Sequence, residues 1–146
     1  MGTVINRKTL VPNEILRLPS PVILCSPWQL YETIIEESGF QTISLNLPLA
    51  RVLFGKSEKE IIANITDIVL GLLSEHQHIC LSDYEMLFDP RYKLDNLKLF
   101  CEIARYNKLF VKWSGSFMND FLTYAEPGYI DFAKYKVSDY EITCVV

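Results

Sequence analysis

Two acidic side chains directly follow an apolar segment in the middle of the sequence. Asp83 and Glu85 come after His78–Leu81, in the stretch HICLSDYEMLFDP. A carboxylate fixed at the tip of a buried strand is the arrangement with which nucleotide hydrolases hold Mg²⁺ and orient water. Asp83 is therefore a candidate Mg²⁺ ligand, and Glu85 is a candidate for positioning water. The alternative is a polar strand end that only turns the chain.

Nucleotide hydrolysis also requires a loop that holds the phosphates, and the first apolar segment is not followed by one. Such a loop has the pattern G-x-x-x-x-G-K-[ST], with glycines for close backbone approach and a lysine for the terminal phosphates. Here Pro21–Cys25 is followed by Ser26-Pro27-Trp28, which contains neither Gly nor Lys. The proline removes one backbone N–H, and the indole would fill the space that phosphates need. We therefore expect no bound cofactor.

A second possible phosphate loop ends in Gly55-Lys56-Ser57, just before the clearest helical pattern. It has Ala50 where the first glycine should stand, and it has bulky side chains at 53 and 54. Ser57 and Glu60 also match a capping box, which satisfies free N–H groups of a first helical turn. We favour the helix cap. The alternative is an ATPase that holds Mg-ATP with Gly55, Lys56 and Ser57 and uses the acidic pair for catalysis.

Strand-like and helix-like patterns alternate along the chain and predict where these candidates lie. Parallel strands need crossover helices, so the alternation predicts an α/β fold with a mostly parallel sheet and helices on both faces. Ligands of such sheets bind at the carboxyl ends of the strands. The chain after Phe121 predicts a β-rich tail. The predicted strands are 21–25, 42–47, 78–81 and 108–113, and the predicted helices are 28–39, 57–73 and 95–105.

Composition limits the classes of protein and partner. The 146 residues are 49% hydrophobic and 22% charged, which is typical of one compact domain over 1–146 with a polar lead-in at 1–20. A net charge of −4 argues against a nucleic-acid-binding face, although Arg105, Lys108 and Lys112 could form a local DNA contact. Isolated cysteines in apolar surroundings and the lack of a membrane-length apolar run predict small buried thiols and a cytoplasmic protein.

Aromatic residues near the predicted strand ends are candidates for contact with another protein. Trp113 lies at the end of a predicted strand, while Tyr124, Glu126 and Tyr129 surround a Pro-Gly turn. Rigid aromatic side chains offer a large contact area at low entropic cost. Leu87-Phe88 could join this surface, but apolar pairs after a strand are usually core residues, which we favour.

The order of several segments resembles BrxF, the small P-loop protein of type 3 BREX phage-defence systems. The resemblance implies a P-loop NTPase-like core and a cytoplasmic role in antiviral defence beside larger BREX proteins. Asp83 and Glu85 match the acidic strand tip of that family, whereas the phosphate loop of the family (Walker A) has no counterpart. Together these features predict a non-hydrolysing subunit that acts through protein–protein interaction. The resemblance is carried by Ile43–Leu47, Leu81–Pro90, Ala104–Asn107, Lys112–Ser116 and Leu122–Gly128.

Overall fold

A six-stranded parallel sheet flanked by helices forms the centre of the molecule, and a three-stranded antiparallel sheet packs beside it. The computed structural model describes residues 1–146. The predicted α/β class and parallel sheet are confirmed. The strands are β1 (Thr3–Ile5), β2 (Val22–Leu24), β3 (Gln41–Ser44), β4 (His78–Ser82), β5 (Lys108–Lys112), β6 (Ser116–Met118), β7 (Phe121–Tyr124), β8 (Ala133–Lys136) and β9 (Thr143–Val145). The α-helices are α1 (Gln29–Glu37), α2 (Asn46–Leu53), α3 (Glu58–Leu73) and α4 (Asn96–Ala104).

The parallel sheet has the strand order β1-β9-β2-β5-β4-β3. Successive side chains of a strand point to opposite faces of a sheet. In β2, Ile23 packs with α2, α3 and α4 on one face, whereas Val22 and Leu24 pack with α1 and the segment around Ile15 on the other. Both faces of the sheet are therefore covered, as its apolar strands require.

Helix α3 forms as its sequence predicts. The hydroxyl of Ser57 accepts a hydrogen bond from the backbone N–H of Glu60 at 3.2 Å, which satisfies one free donor of the first turn. Four apolar residues at i, i+4, i+8 and i+12 then face the sheet and are buried. These residues are Ile61, Ile65, Val69 and Leu73.

Helix α1 differs in the face that it buries. The pattern predicts that Leu30, Ile34 and Ile35 face inward, but Leu30 is exposed and the buried positions are Tyr31 and Ile35. This i, i+4 pair defines a single stripe, which turns Leu30 to solvent. Gly39 has φ +91°, a left-handed conformation that ends the helix as predicted.

Three parts of the chain enter the fold in ways that local patterns do not show. Strand β3 ends at Ser44, and α2 begins at Asn46, within the segment 42–47 that is predicted as strand. The polar lead-in contributes β1 to the sheet and the fully buried Ile15 to the core. The end of the predicted β-rich tail returns to the sheet as β9, between β1 and β2.

The antiparallel sheet comprises β6, β7 and β8 and joins the larger core through Leu122 and Tyr135. Gly115 makes the turn into this sheet possible. A Cβ atom at that position would lie 1.7 Å from the backbone oxygen of Thr123. Only glycine allows this close approach of the two backbone segments.

No helix has both the length and the apolar character needed to cross a membrane. The four cysteines are free thiols. Cys25, Cys80 and Cys144 are buried, which confirms the prediction for these three, while Cys101 is half-buried.

Candidate functional site

β2 and β5 are the neighbouring strands at which the chain connections change from one face of the sheet to the other. The connection from β2 passes over one face of the sheet through α1, whereas the connections through α2, α3 and α4 cover the other face. In open α/β sheets the crevice outside the carboxyl ends of such strands is the usual ligand site. The residues that follow β2 and β5 therefore decide what this protein can bind there.

The turn after β2 is short and already bonded to its neighbours. Ser26-Pro27-Trp28 is the only segment between Cys25 and the first residue of α1. The backbone N–H of Cys25 donates to the carbonyl of Val145 at 2.9 Å. From the lead-in, Arg7 Nη1 donates to the carbonyl of Pro27 at 2.8 Å. These bonds use the N–H of Cys25 and the carbonyl of Pro27, and Pro27 has no N–H of its own to offer an anion.

The cation at the end of β5 is also engaged. Lys112 Nζ lies 2.9 Å from Glu32 Oε1 and 4.8 Å from the centre of the Trp28 ring. The ammonium group thus has both an ionic and a cation–π partner. Any phosphate bound at this crevice would have to displace the indole and compete with Glu32.

Two buried thiols lie beneath the turn. The Sγ atoms of Cys25 and Cys144 lie 3.7 Å apart in neighbouring strands. Their mutual hydrogen bond and burial raise the pKa of Cys144. A thiol with a raised pKa stays protonated and is a poor nucleophile, so Cys144 is not suited to nucleophilic chemistry.

The acidic residues after β4 are tied to the end of β3. Ser44 Oγ donates to Asp83 Oδ2 at 2.7 Å, and Asn46 Nδ2 donates to Glu85 Oε2 at 2.9 Å. Asp83 has φ +46°, a left-handed conformation that Asp tolerates better than most residues. Its carbonyl accepts the backbone N–H of Asn46 at 2.6 Å. One oxygen of each carboxylate is thus used to join two strand ends, and the pair belongs to no group of three or more side chains suited to a metal.

Asn46 holds this arrangement together, and its replacement gives a first prediction. Its Oδ1 accepts the backbone N–H of Met86 at 3.1 Å while its Nδ2 binds Glu85. Asn46→Ala should lower the free energy of unfolding by about 1 kcal/mol, because both bonds are lost in a half-buried setting. Urea denaturation measures the change. Asn64→Ala, at an exposed position of α3, is the control. An equal loss of stability in both variants would contradict this role for Asn46.

Tyr84, which the sequence did not single out, links the ends of β4 and β5. Its hydroxyl donates to the carbonyl of Lys112 at 2.8 Å and accepts the backbone N–H of Ser114 at 3.2 Å. Burial raises the pKa of this hydroxyl well above its usual range. The only local sign of such a role is a tyrosine between two acidic residues, which does not reveal its partners on β5.

Several candidate interaction residues are core residues. Trp113 is only 1% exposed, and its Nε1 donates to the carbonyl of Thr123 at 3.1 Å, so it does not face a partner. Leu87 and Phe88 are buried, which confirms the core interpretation. The antiparallel sheet covers these residues by packing on them from a later part of the chain.

The aromatic loop after β7 is divided between core and surface. Tyr124 stacks on Phe88 with ring centres 3.8 Å apart and is half-buried. Glu126 and Tyr129 are exposed. Within this loop, the exposed pair is therefore accessible to another protein, whereas Tyr124 mainly fixes the loop.

Gly55-Lys56-Ser57 lies between two helices. It follows α2 and precedes α3, so it lacks the preceding strand of a phosphate-binding loop. The backbone N–H of Lys56 donates to the carbonyl of Leu53 at 3.0 Å, which leaves it unavailable to an anion. The capping role predicted for Ser57 is confirmed.

The three basic residues considered for DNA do not form one patch. Lys108 and Lys112 stand at opposite ends of β5. Lys108 Nζ donates to the carbonyl of Leu16, and Arg105 Nη1 pairs with Glu102 at 3.3 Å. Arg105 and Lys108 line one surface pocket, whereas Lys112 lies at the other end of the strand, and each cation is bonded to its own partner.

Comparisons with protein-family models, curated proteins and solved structures gave no significant match to this chain.

Proposed function

We propose that this protein is a non-hydrolysing subunit with a P-loop-like α/β core that acts through protein–protein interaction in a bacterial phage-defence (BREX) system. The observation that carries the non-hydrolysing role is the turn after β2. Ser26-Pro27-Trp28 fills the place of a phosphate loop with a proline and an indole, and it has no lysine.

Charge and solvation favour this proposal over an ATPase. A triphosphate carries about four negative charges, and its desolvation must be offset by several N–H donors and cations. At the end of β2 the nearest cations, Arg7 and Lys112, are bonded to Pro27 and Glu32. Mg-ATP does not fit the residues present there.

The P-loop-like character of the core is supported by its topology. β2 lies inside the sheet, with β5 and β9 as neighbours, and the divergence of connections next to β2 is the position at which doubly wound folds bind nucleotides. The acidic tip of β4 lies at the same carboxyl end of the sheet, and β5 separates it from β2. The resemblance to BrxF supplies the phage-defence context and the expectation of larger partner proteins.

Calorimetric titration with Mg-ATP tests the proposal against the ATPase alternative. We expect no saturable heat from micromolar to millimolar nucleotide. Saturable micromolar binding that is lost in Lys56→Ala but kept in Lys59→Ala would overturn the proposal in favour of an ATPase using Gly55-Lys56-Ser57. Lys59 is the matched control because it is an exposed lysine in the first turn of the same helix.

A further inference from the structure

A two-lobed cleft lies between residues 85–96 and the segment after the aromatic loop. Its outer lobe, about 680 Å³, opens between Glu85–Tyr92 and Ile130-Asp131. Its inner lobe, about 180 Å³, continues from Phe88, Asp89 and Ile130 to Asn96 and Tyr135. The outer lobe is in the size range of small-ligand sites, and the inner lobe is smaller than that range.

The inner lobe contains a buried acceptor without a partner. Asn96 is 2% exposed and lines this lobe, and its Nδ2 donates to the carbonyl of Leu87 at 3.1 Å. Its Oδ1 has no hydrogen-bond partner, although the Tyr135 hydroxyl lies near the same amide. An amide oxygen only accepts hydrogen bonds, and a buried acceptor without a donor is costly. An occupant of this lobe that brings an N–H or O–H donor would supply the missing bond.

The charges around the cleft favour a cationic donor. Asp89 is committed to Arg91, whose Nη2 lies 2.6 Å away, and this pair lowers the pKa of Asp89. The remaining charged side chains are two carboxylates, Glu85 and Asp131, and one ammonium group, Lys93. Asp131 lines both lobes and has no ion-pair partner. A positive group beside it would gain from this imbalance.

The surface beside the cleft extends the site beyond the size of a small molecule. Ile130 is 88% exposed and Tyr129 is 67% exposed. Exposed apolar residues at the rim of a pocket are typical of contacts with another polypeptide. A free amine or guanidine could fill the inner lobe but would leave these two side chains uncovered.

We propose that the cleft binds an arginine or lysine side chain of a partner protein, with its cationic group donating to Asn96 Oδ1 beside Asp131 and its apolar neighbours packing on Ile130 and Tyr129. This inference rests on the proposed interaction function and assigns that function a surface and a partner chemistry.

A titration of ¹⁵N-labelled protein tests the inner lobe. The probes are N-acetyl-arginine amide and its neutral isostere N-acetyl-citrulline amide. We expect saturable shifts of the Asn96 side-chain amide and of residues 85–92 and 130–133 with the arginine probe, and binding about tenfold weaker with citrulline. Asn96→Leu and Asp131→Asn should each weaken arginine binding, whereas Asp67→Asn, at an exposed position of α3, should not. If Asn96→Leu does not fold, Asp131→Asn carries the test. No saturable shift, or an equal response to both probes, overturns the proposal.

A tripeptide separates a partner protein from a free small cation. N-acetyl-Leu-Arg-Leu-amide should bind several-fold more tightly than N-acetyl-arginine amide, because its leucines cover the apolar rim. Tyr129→Ser should remove that gain without changing the response to the single amino acid. Tyr106→Ser is the control, since Tyr106 is similarly exposed at 69% but follows α4, before β5. Equal affinity for the two probes overturns the partner-protein assignment.

The two proposals fail separately. Binding of Mg-ATP with an unchanged arginine response would overturn the non-hydrolysing function and leave the cleft assignment standing. An ATP titration without saturable heat, together with no response to the arginine probe, would overturn the cleft assignment alone.

Discussion

Replacing Trp113 by alanine is expected to lower the free energy of unfolding by about 3–5 kcal/mol. The indole is almost fully buried where the parallel and antiparallel sheets meet, with edge contacts to Phe88 and Tyr135 at ring-centre distances of 5.9 and 6.3 Å. Alanine would leave a cavity and remove the donor bonded to Ser116 and Thr123. Urea denaturation of the wild type and the variant measures the loss.

A surface aromatic residue provides the control for Trp113→Ala. Tyr106→Ala removes an exposed ring and should change stability by less than about 0.5 kcal/mol. If Trp113→Ala were as mild as this control, while the variant lost affinity for a partner protein, Trp113 would be a surface residue and the described packing of the two sheets would be incorrect.

Replacing Tyr84 by phenylalanine is expected to cost about 1–3 kcal/mol of unfolding free energy. The change keeps the ring but leaves the N–H of Ser114 and the carbonyl of Lys112 without their buried partner. The same denaturation experiment measures it. Tyr129→Phe, which changes an exposed hydroxyl, should have almost no effect.

The cost of Tyr84→Phe should depend on pH in the alkaline range. Burial raises the pKa of Tyr84 in the folded protein above the ordinary value of about 10. The contribution of the hydroxyl is therefore complete below that pH and is lost as the pH rises toward the folded-state pKa, because only the unfolded chain releases the proton. The stability difference between wild type and variant should shrink above about pH 10. A difference that stays constant would show that the hydroxyl is not buried.

Elements with strong local patterns could be predicted, whereas elements stabilised by distant partners could not. Helix α3 carries its own cap and apolar stripe, so sequence alone locates it. β1 has three residues and exists because β9, at the other end of the chain, pairs with it. Helix α2 begins inside the alternating stretch TISLNL, and Pro48 looks like a helix breaker. Proline is tolerated there because it lies in the first turn, where its missing N–H has no helical partner.

The candidate site shows the same division between local and long-range information. The position of Asp83 at a strand tip follows from the apolar segment before it, and this prediction is confirmed. Its bond to Ser44 depends on the register of β3 against β4, which pairs Ser44 with Ser82. The burial of Trp113 depends on the antiparallel sheet that covers it, and the pattern WSGS alone gives no sign of that contact.

A crystal structure after soaking with Mg²⁺ and a non-hydrolysable ATP analogue tests directly whether the turn after β2 excludes a polyphosphate. We predict no phosphate density at residues 26–28, with the Arg7–Pro27 and Lys112–Glu32 contacts still in place. A polyphosphate bound to the backbone N–H groups at the start of α1, with either contact broken to admit it, would show that this turn does bind nucleotide.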